Sequence, residues 1–251
     1  MNSGKKVLVA GYPKSGNTWL GYMVSYLLGA KYIDLHAPDS KVTLQKEILK
    51  LIDGSVLHKT EYEQVCKTHN RYNFLQDSNF NLESYDKVIF IVRDPRDVAV
   101  SDYFFKYYNV PVATNKPEKI LTYRPWMVRK LVWKMNLLRT ARNWTFHTIS
   151  WRTFEGKCLI RYEDLKKDSL GALQSICNYL NVPCEMEILQ DALRLFDFEK
   201  LSGGRKPGEE YQTAFFRKGV IGDYENYFDV IDKRIMNWYA ADEMKSLGYK
   251  I

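Results

Sequence analysis

Short apolar runs alternate along the chain with longer stretches whose apolar positions recur at helical spacing. Residues 6–11, 65–68, 87–92 and 158–162 read as buried strands, each a brief run with apolar side chains. The stretch 19–30 is apolar until Lys31; that is well short of the roughly 20 residues that span a bilayer, so it reads as a buried helix. Pro95 opens a helix to about Tyr108, Pro125 opens a long one to about Trp151, and a last helix covers about Asp229 to Leu247. Residues 109–124, with Pro111 and Pro117 and no periodicity, read as a mobile loop. A second irregular stretch, 202–212, holds Gly203-Gly204 and Pro207-Gly208. Strands separated by segments long enough for crossover helices predict an α/β fold with a central parallel sheet flanked by helices. No linker, repeat or low-complexity tract interrupts it, so a single domain over residues 1–251 is expected.

Composition narrows this picture without redirecting it. The 251 residues are 45% hydrophobic and 27% charged, which excludes collagen-like, disordered and disulfide-scaffold classes. The 37 Lys plus Arg against 30 Asp plus Glu leave a net charge of +7, which suits an anionic partner. The bases cluster in separate loops without an RNA- or DNA-binding motif, so no nucleic-acid partner is expected. No secretory or membrane segment is signalled. The four cysteines form no CxxC, and His36, His58, His69 and His147 lack paired-ligand spacing. A reduced, cytoplasmic protein with no metal site is therefore expected.

Three segments carry chemistry. The first strand runs into Gly11-Tyr12-Pro13-Lys14-Ser15-Gly16-Asn17-Thr18-Trp19 and then a helix. Such a P-loop-like strand, loop and helix N-terminus aims backbone N–H groups and a dipole's positive end at one point, which suits a phosphate. The spacing approaches GxxxxGK[ST], but Asn17 takes the lysine position and the lysine lies earlier, as Lys14. Arg93 follows the strand 87–92 and Ser101 lies on the next helix, at the sheet edge where open α/β sheets bind ligands. Arg217-Lys218-Gly219 reads as a flexible anion clamp or as a solvated charged turn. In Lys67-Thr68-His69 the histidine stands just past a strand, on the same edge as Lys14, and is a candidate base.

These segments resemble the cytosolic-type sulfotransferases. Residues 12–19 are similar to that family's 5′-phosphosulfate loop, Arg93 to Phe104 to its 3′-phosphate segment, and Arg217 to Phe228 to its C-terminal signature. Lys67-Thr68-His69 matches the segment with the family's catalytic histidine, and Trp144, His147 and Trp151 match a further pattern. The resemblance implies 3′-phosphoadenosine 5′-phosphosulfate (PAPS) as sulfuryl donor, 3′,5′-bisphosphoadenosine (PAP) as product, and no metal. It places Lys14, Ser15, Gly16, Asn17 and Thr18 at the 5′-phosphate. Trp19 then lies on adenine opposite Phe198, and Tyr162 at the nucleoside. Arg93, Ser101, Arg217, Lys218 and Gly219 fall at the 3′-phosphate. His69 is the implied base, Lys14 stabilises the leaving phosphate, and Lys67 steadies the sulfuryl oxygens, points into solvent or pairs with an acid. Trp144, His147 and Trp151 share a helical face and are assigned to packing.

The rival readings are a P-loop kinase, with Asp94 as its Mg²⁺ ligand, and a non-catalytic nucleotide-binding protein. Against the family pattern, Asn17 stands for a usual threonine, Asp102 for a tyrosine and Tyr224 for a tryptophan. The first strand starts almost at the N-terminus, where many animal relatives carry a leading segment that helps line the acceptor site. The family's dimer motif is not evident after Phe228. The acceptor, a small molecule, stays open among phenol, alcohol, amine, sugar and larger natural product.

Overall fold

The computed structural model describes residues 4–36, 60–73, 81–108 and 125–251. The stretch read above as a mobile loop, 109–124, lies outside them, as does His58. By their contacts the residues divide into two compact units, Met1–Val92 with Ser150–Asp197 and Arg93–Ile149 with Phe198–Ile251.

The first unit holds the sheet. Its strands are β1 (Lys5–Ala10), β2 (Lys31–Asp34), β3 (Tyr62–Thr68), β4 (Lys87–Val92) and β5 (Lys157–Arg161). They lie in the order β2-β3-β1-β4-β5, and all four pairings are parallel. Val7 to Ala10 and Val88 to Val92 are buried, the continuous apolar signature of a sheet covered on both faces. Helix α1 (Asn17–Leu28) packs against β1, β2 and β3, and ends at Gly29, whose φ of 61° puts the chain into the left-handed turn that L residues resist. In register, Ala10 faces Thr68 and Asp34 faces Lys67, so the carboxyl ends of β1, β2 and β3 deliver Gly11, His69 and Asp34 to one edge. Helices α4 (Tyr162–Lys167), α5 (Ser169–Leu180) and α6 (Met186–Leu195) follow β5.

The second unit is helical. Asp94 caps α2 (Pro95–Tyr107) by accepting from the Arg96 N–H, with Pro95 in the first turn, where its missing N–H costs nothing. Helix α3 (Trp126–Arg152) follows Pro125, and after the four-residue α7 (Phe198–Leu201) the chain closes with α8 (Val230–Ser246). An Asp229–Asp232 capping box starts α8. Ala99, Leu137, Ala141 and Met236 form its core, with Trp133, Phe228 and Ile235 packed on it.

The sequence reading located four of the five strands among the described residues, and α1, α2, α3 and α8, to within a few residues; it missed β2 and did not single out α4, α5 and α6. Among the described residues, no helix is long and apolar enough to cross a membrane.

Candidate functional site

In the first unit the loop after β1 turns tightly into α1. Lys14 has φ of 69° and Gly16, the residue before α1, φ of 97°, so two left-handed residues make the turn, and the Ser15 N–H donates to the Tyr12 carbonyl at 3.2 Å. No side chain caps α1 and its first turn has no acid, so the dipole's positive end is uncompensated. Gly16 is needed on space as well as φ: a Cβ there would stand 2.7 Å from Tyr162 Cδ2. Ser15 Oγ and Asn17 Oδ1 are buried without a hydrogen-bond partner, the state of polar atoms awaiting a ligand. Anionic oxygens fit such a cradle.

Trp19 is fixed by its indole N–H, which donates to the Phe196 carbonyl at 2.8 Å. Its ring meets Tyr162 edge-on at 5.9 Å, and Lys166 Nζ lies 5.5 Å from its centroid. Phe198, its expected partner across adenine, belongs to the second unit.

Beside the loop stands His69. Its Nδ1 lies 2.8 Å from the Gly11 carbonyl oxygen, which only accepts, so Nδ1 carries the proton and Nε2 keeps its lone pair. Asn17 Nδ2 is 3.3 Å from the same Nδ1, but its hydrogen bond goes to the Tyr12 carbonyl at 2.9 Å. Burial first, then the Lys67 ammonium, push the His69 imidazole down to about 3, so the free protein holds it neutral. Lys67 itself is buried and joined to Asp34 at 2.6 Å, with Thr18 Oγ1 at 3.5 Å. Of the three readings of Lys67, the pairing with an acid is the one seen.

The second unit brings together two segments far apart in sequence. Arg93 donates to the Val220 carbonyl at 3.0 Å and lies 3.6 Å from Asp97. Asp97 in turn accepts from the N–H groups of Gly222 at 2.8 Å and Tyr224 at 3.0 Å, tying α2 to the Arg217–Phe228 stretch. Trp144 donates its indole N–H to the Arg93 carbonyl at 3.1 Å, so this packing residue also fixes a site residue. Ser101 is half-buried on α2.

Arg217 is buried and paired with Glu210 at 2.5 Å and with Asp223, while Lys218 meets Asp223 at 2.6 Å. Burial alone would raise the Asp223 carboxyl, but bonds from Lys218 and Arg217 hold it below its ordinary value. Gly219, at φ of 67°, lets the chain pass Phe198, whose Cδ2 would be 2.3 Å from a Cβ there. Arg205, which the sequence reading did not single out, donates to the carbonyls of Arg217 at 2.8 Å and Phe216 at 2.6 Å. It braces the Arg217 turn from outside the motif.

The departures from the family pattern have local partners. Asp102 is buried and pairs with Lys106 and, at 3.6 Å, with Arg139, and Tyr224 lies 4.2 Å from the Arg96 guanidinium. Asp94 is engaged by Arg96 through Nε at 2.9 Å and NH2 at 2.6 Å besides capping α2. That is a structural role for the carboxylate the kinase reading needs.

A family model described as a sulfotransferase domain matches residues 4–248. The chain is 27% identical over 247 residues to Sulfotransferase 2A2 of Rattus norvegicus, covering 95% of this chain and 84% of that protein. It is 29% identical over 252 residues to the 3-alpha-hydroxysteroid sulfotransferase of Cavia porcellus, covering 96% and 84%. Among solved structures, the fold matches mouse sulfotransferase SULT7A1 complexed with PAP at a TM-score of 0.66 and 21% identity, over 96% of this chain and 85% of that one.

Proposed function

The chain belongs to the sulfotransferase domain family, and from that premise we propose that it transfers a sulfuryl group from PAPS to a hydroxyl, or an amine, of a small-molecule acceptor, with His69 as general base. The observation that carries the reading is the hydrogen bond from His69 Nδ1 to the Gly11 carbonyl, 2.8 Å long. It commits one nitrogen to the backbone of the phosphate loop and frees the other as a proton acceptor. The bound donor supplies an activated sulfuryl group on its 5′-phosphate.

The residues from Lys14 to Thr18 hold that phosphate through backbone N–H groups, the Lys14 ammonium and the orphaned Ser15 hydroxyl. Trp19 and Tyr162 bound the nucleoside. Arg93, Ser101, Arg217, Lys218 and Gly219 receive the 3′-phosphate. His69 Nε2 takes the acceptor's proton as the acceptor oxygen bonds to sulfur and the bridging S–O bond breaks. Lys14 and the α1 N-terminus stabilise the charge left on the phosphate. Negative charge held in the loop favours the imidazolium, raising His69 from its low resting value toward the working range. The cation of Lys67, balanced by Asp34, lies beside the start of α1 and moderates that rise. Free thiols at Cys66, Cys158, Cys177 and Cys184 fit a reducing, cytoplasmic setting.

The test is turnover with PAPS against a panel of alcohols, phenols and amines that includes a hydroxysteroid, read by product mass. His69→Ala should lower kcat at least ~100-fold while PAP affinity changes little. Near-normal turnover of a folded His69→Ala protein with a hydroxyl acceptor removes His69 from the mechanism, and phosphoryl transfer from ATP with Mg²⁺ revives the kinase reading.

A further inference from the structure

A second imidazole stands against the first. His36, at the surface two residues past β2, has its Nε2 2.8 Å from the backbone nitrogen of His69. A backbone N–H only donates, so this Nε2 is an acceptor and the His36 proton sits on Nδ1. The Thr68 hydroxyl lies 3.4 Å from the same nitrogen, and the two rings stack with centroids 5.3 Å apart at 29°. His36 is held in turn, its backbone N–H donating to Asp34 Oδ1 at 3.0 Å while Asp34 Oδ2 takes Lys67 at 2.6 Å. Beyond His69, the Asn70 N–H bonds Thr68 Oγ1 at 3.1 Å and its carbonyl takes the Trp151 indole N–H at 2.9 Å. The backbone bond from His69 to His36 is a link that one proton on His36 Nε2 breaks.

We propose that His36 is a positioning residue for His69: its neutral imidazole fixes the His69 backbone and ring, and protonating it releases both. This rests on His69 being the base. Protonation would remove the lone pair that accepts the His69 N–H and set a cation against a ring that must itself gain a proton. Among the described residues, the groups facing His36 are Asp34 on β2, which favours the imidazolium, and Lys67 and His69 on β3 and just past it, which oppose it. Burial outweighs Asp34 and lowers His36 from its ordinary value. Because His36 Nε2 accepts the His69 N–H at 2.8 Å, protonating His36 breaks that bond, and the acid limb of kcat/KM, which reports the free enzyme, should include His36.

The experiment compares wild type, His36→Ala, His36→Gln and His69→Ala as full chains, with kcat, KM, PAP affinity and pH profiles. Histidine ¹⁵N spectra give the tautomers independently of activity. Gln offers an acceptor oxygen but cannot take a proton. We expect His36→Ala to lower kcat ~10-fold or more with PAP affinity within about threefold. His36→Gln should recover most of that loss and move the acid limb to lower pH, and the wild-type spectrum should show both histidines protonated on Nδ1. The proposal is overturned if folded His36→Ala keeps wild-type kcat and acid limb, if Ala and Gln behave alike, or if His36 carries its proton on Nε2. Should His69→Ala remain active, the base reading fails instead, and the tautomer spectrum still decides whether His36 holds the His69 backbone.

Discussion

Arg93→Ala separates a bisphosphate site from a plain nucleotide site. Arg93 is preorganised, with NH2 3.0 Å from the Val220 carbonyl and Asp97 3.6 Å away. Removing it leaves Asp97 with two backbone donors, from Gly222 at 2.8 Å and Tyr224 at 3.0 Å, so the unit should keep its fold. A good charge-assisted bond to a phosphate oxygen contributes ~1.5–3 kcal/mol, which is roughly 10- to 150-fold in affinity. With Arg93 and the Arg217–Gly219 turn both engaged, PAP should bind wild type ~100-fold or more tightly than AMP. Arg93→Ala should erase most of that preference while AMP affinity stays within about threefold, since AMP lacks the group Arg93 is held to meet. Arg93→Lys keeps the charge without the fork and should fall between. Calorimetric titration of both nucleotides against the three proteins gives the answer. Equal binding of PAP and AMP by wild type refutes the donor assignment; a preference untouched by Arg93→Ala refutes only this arginine's role.

Gly16→Ala sets a methyl 2.7 Å from the Tyr162 ring at φ of 97°; PAP affinity by calorimetry should drop at least ~10-fold, since left-handed backbone alone costs about 1–2 kcal/mol. Asp34→Asn leaves the Lys67 ammonium buried without its counter-charge, so urea unfolding should show a loss of ~3–5 kcal/mol. Adding Lys67→Met should restore most of it, and a double variant as unstable as the single would show that the pair is not the cause. The His69 imidazole titrates near 3 when folded, below its ordinary value of 6.5. Between those values the unfolded chain binds more protons, so stability falls as pH drops, by up to ~1.4 kcal/mol per unit. His69→Asn should flatten that part of the urea-midpoint profile between pH 6.5 and 4; an unchanged slope would mean that His69 charges freely in the folded state.

What could be read from the sequence was whatever lay contiguous in it. The turn from β1 into α1 was legible because its glycine, lysine and helix start follow one another, and a helix N-terminus needs no distant partner to bind an anion. The strands β1, β3, β4 and β5 announced themselves as apolar runs, since a parallel sheet buried on both faces requires them. Arg205 gave no signal, because it acts on carbonyls more than ten positions along the chain. The same is true of Asp97, whose backbone donors lie at Gly222 and Tyr224.

The missed strand had the largest consequence. Lys31–Asp34 is four residues with one buried side chain, Tyr32, too short for any period to show. Yet once β2 joins β3 in parallel, register sets Asp34 opposite Lys67 and brings His36 against His69. A lone histidine in a sequence carries almost no weight as a site residue. Here a strand of four residues decides which histidine the proposed base His69 lies against, and that is information about pairing, which no local pattern holds.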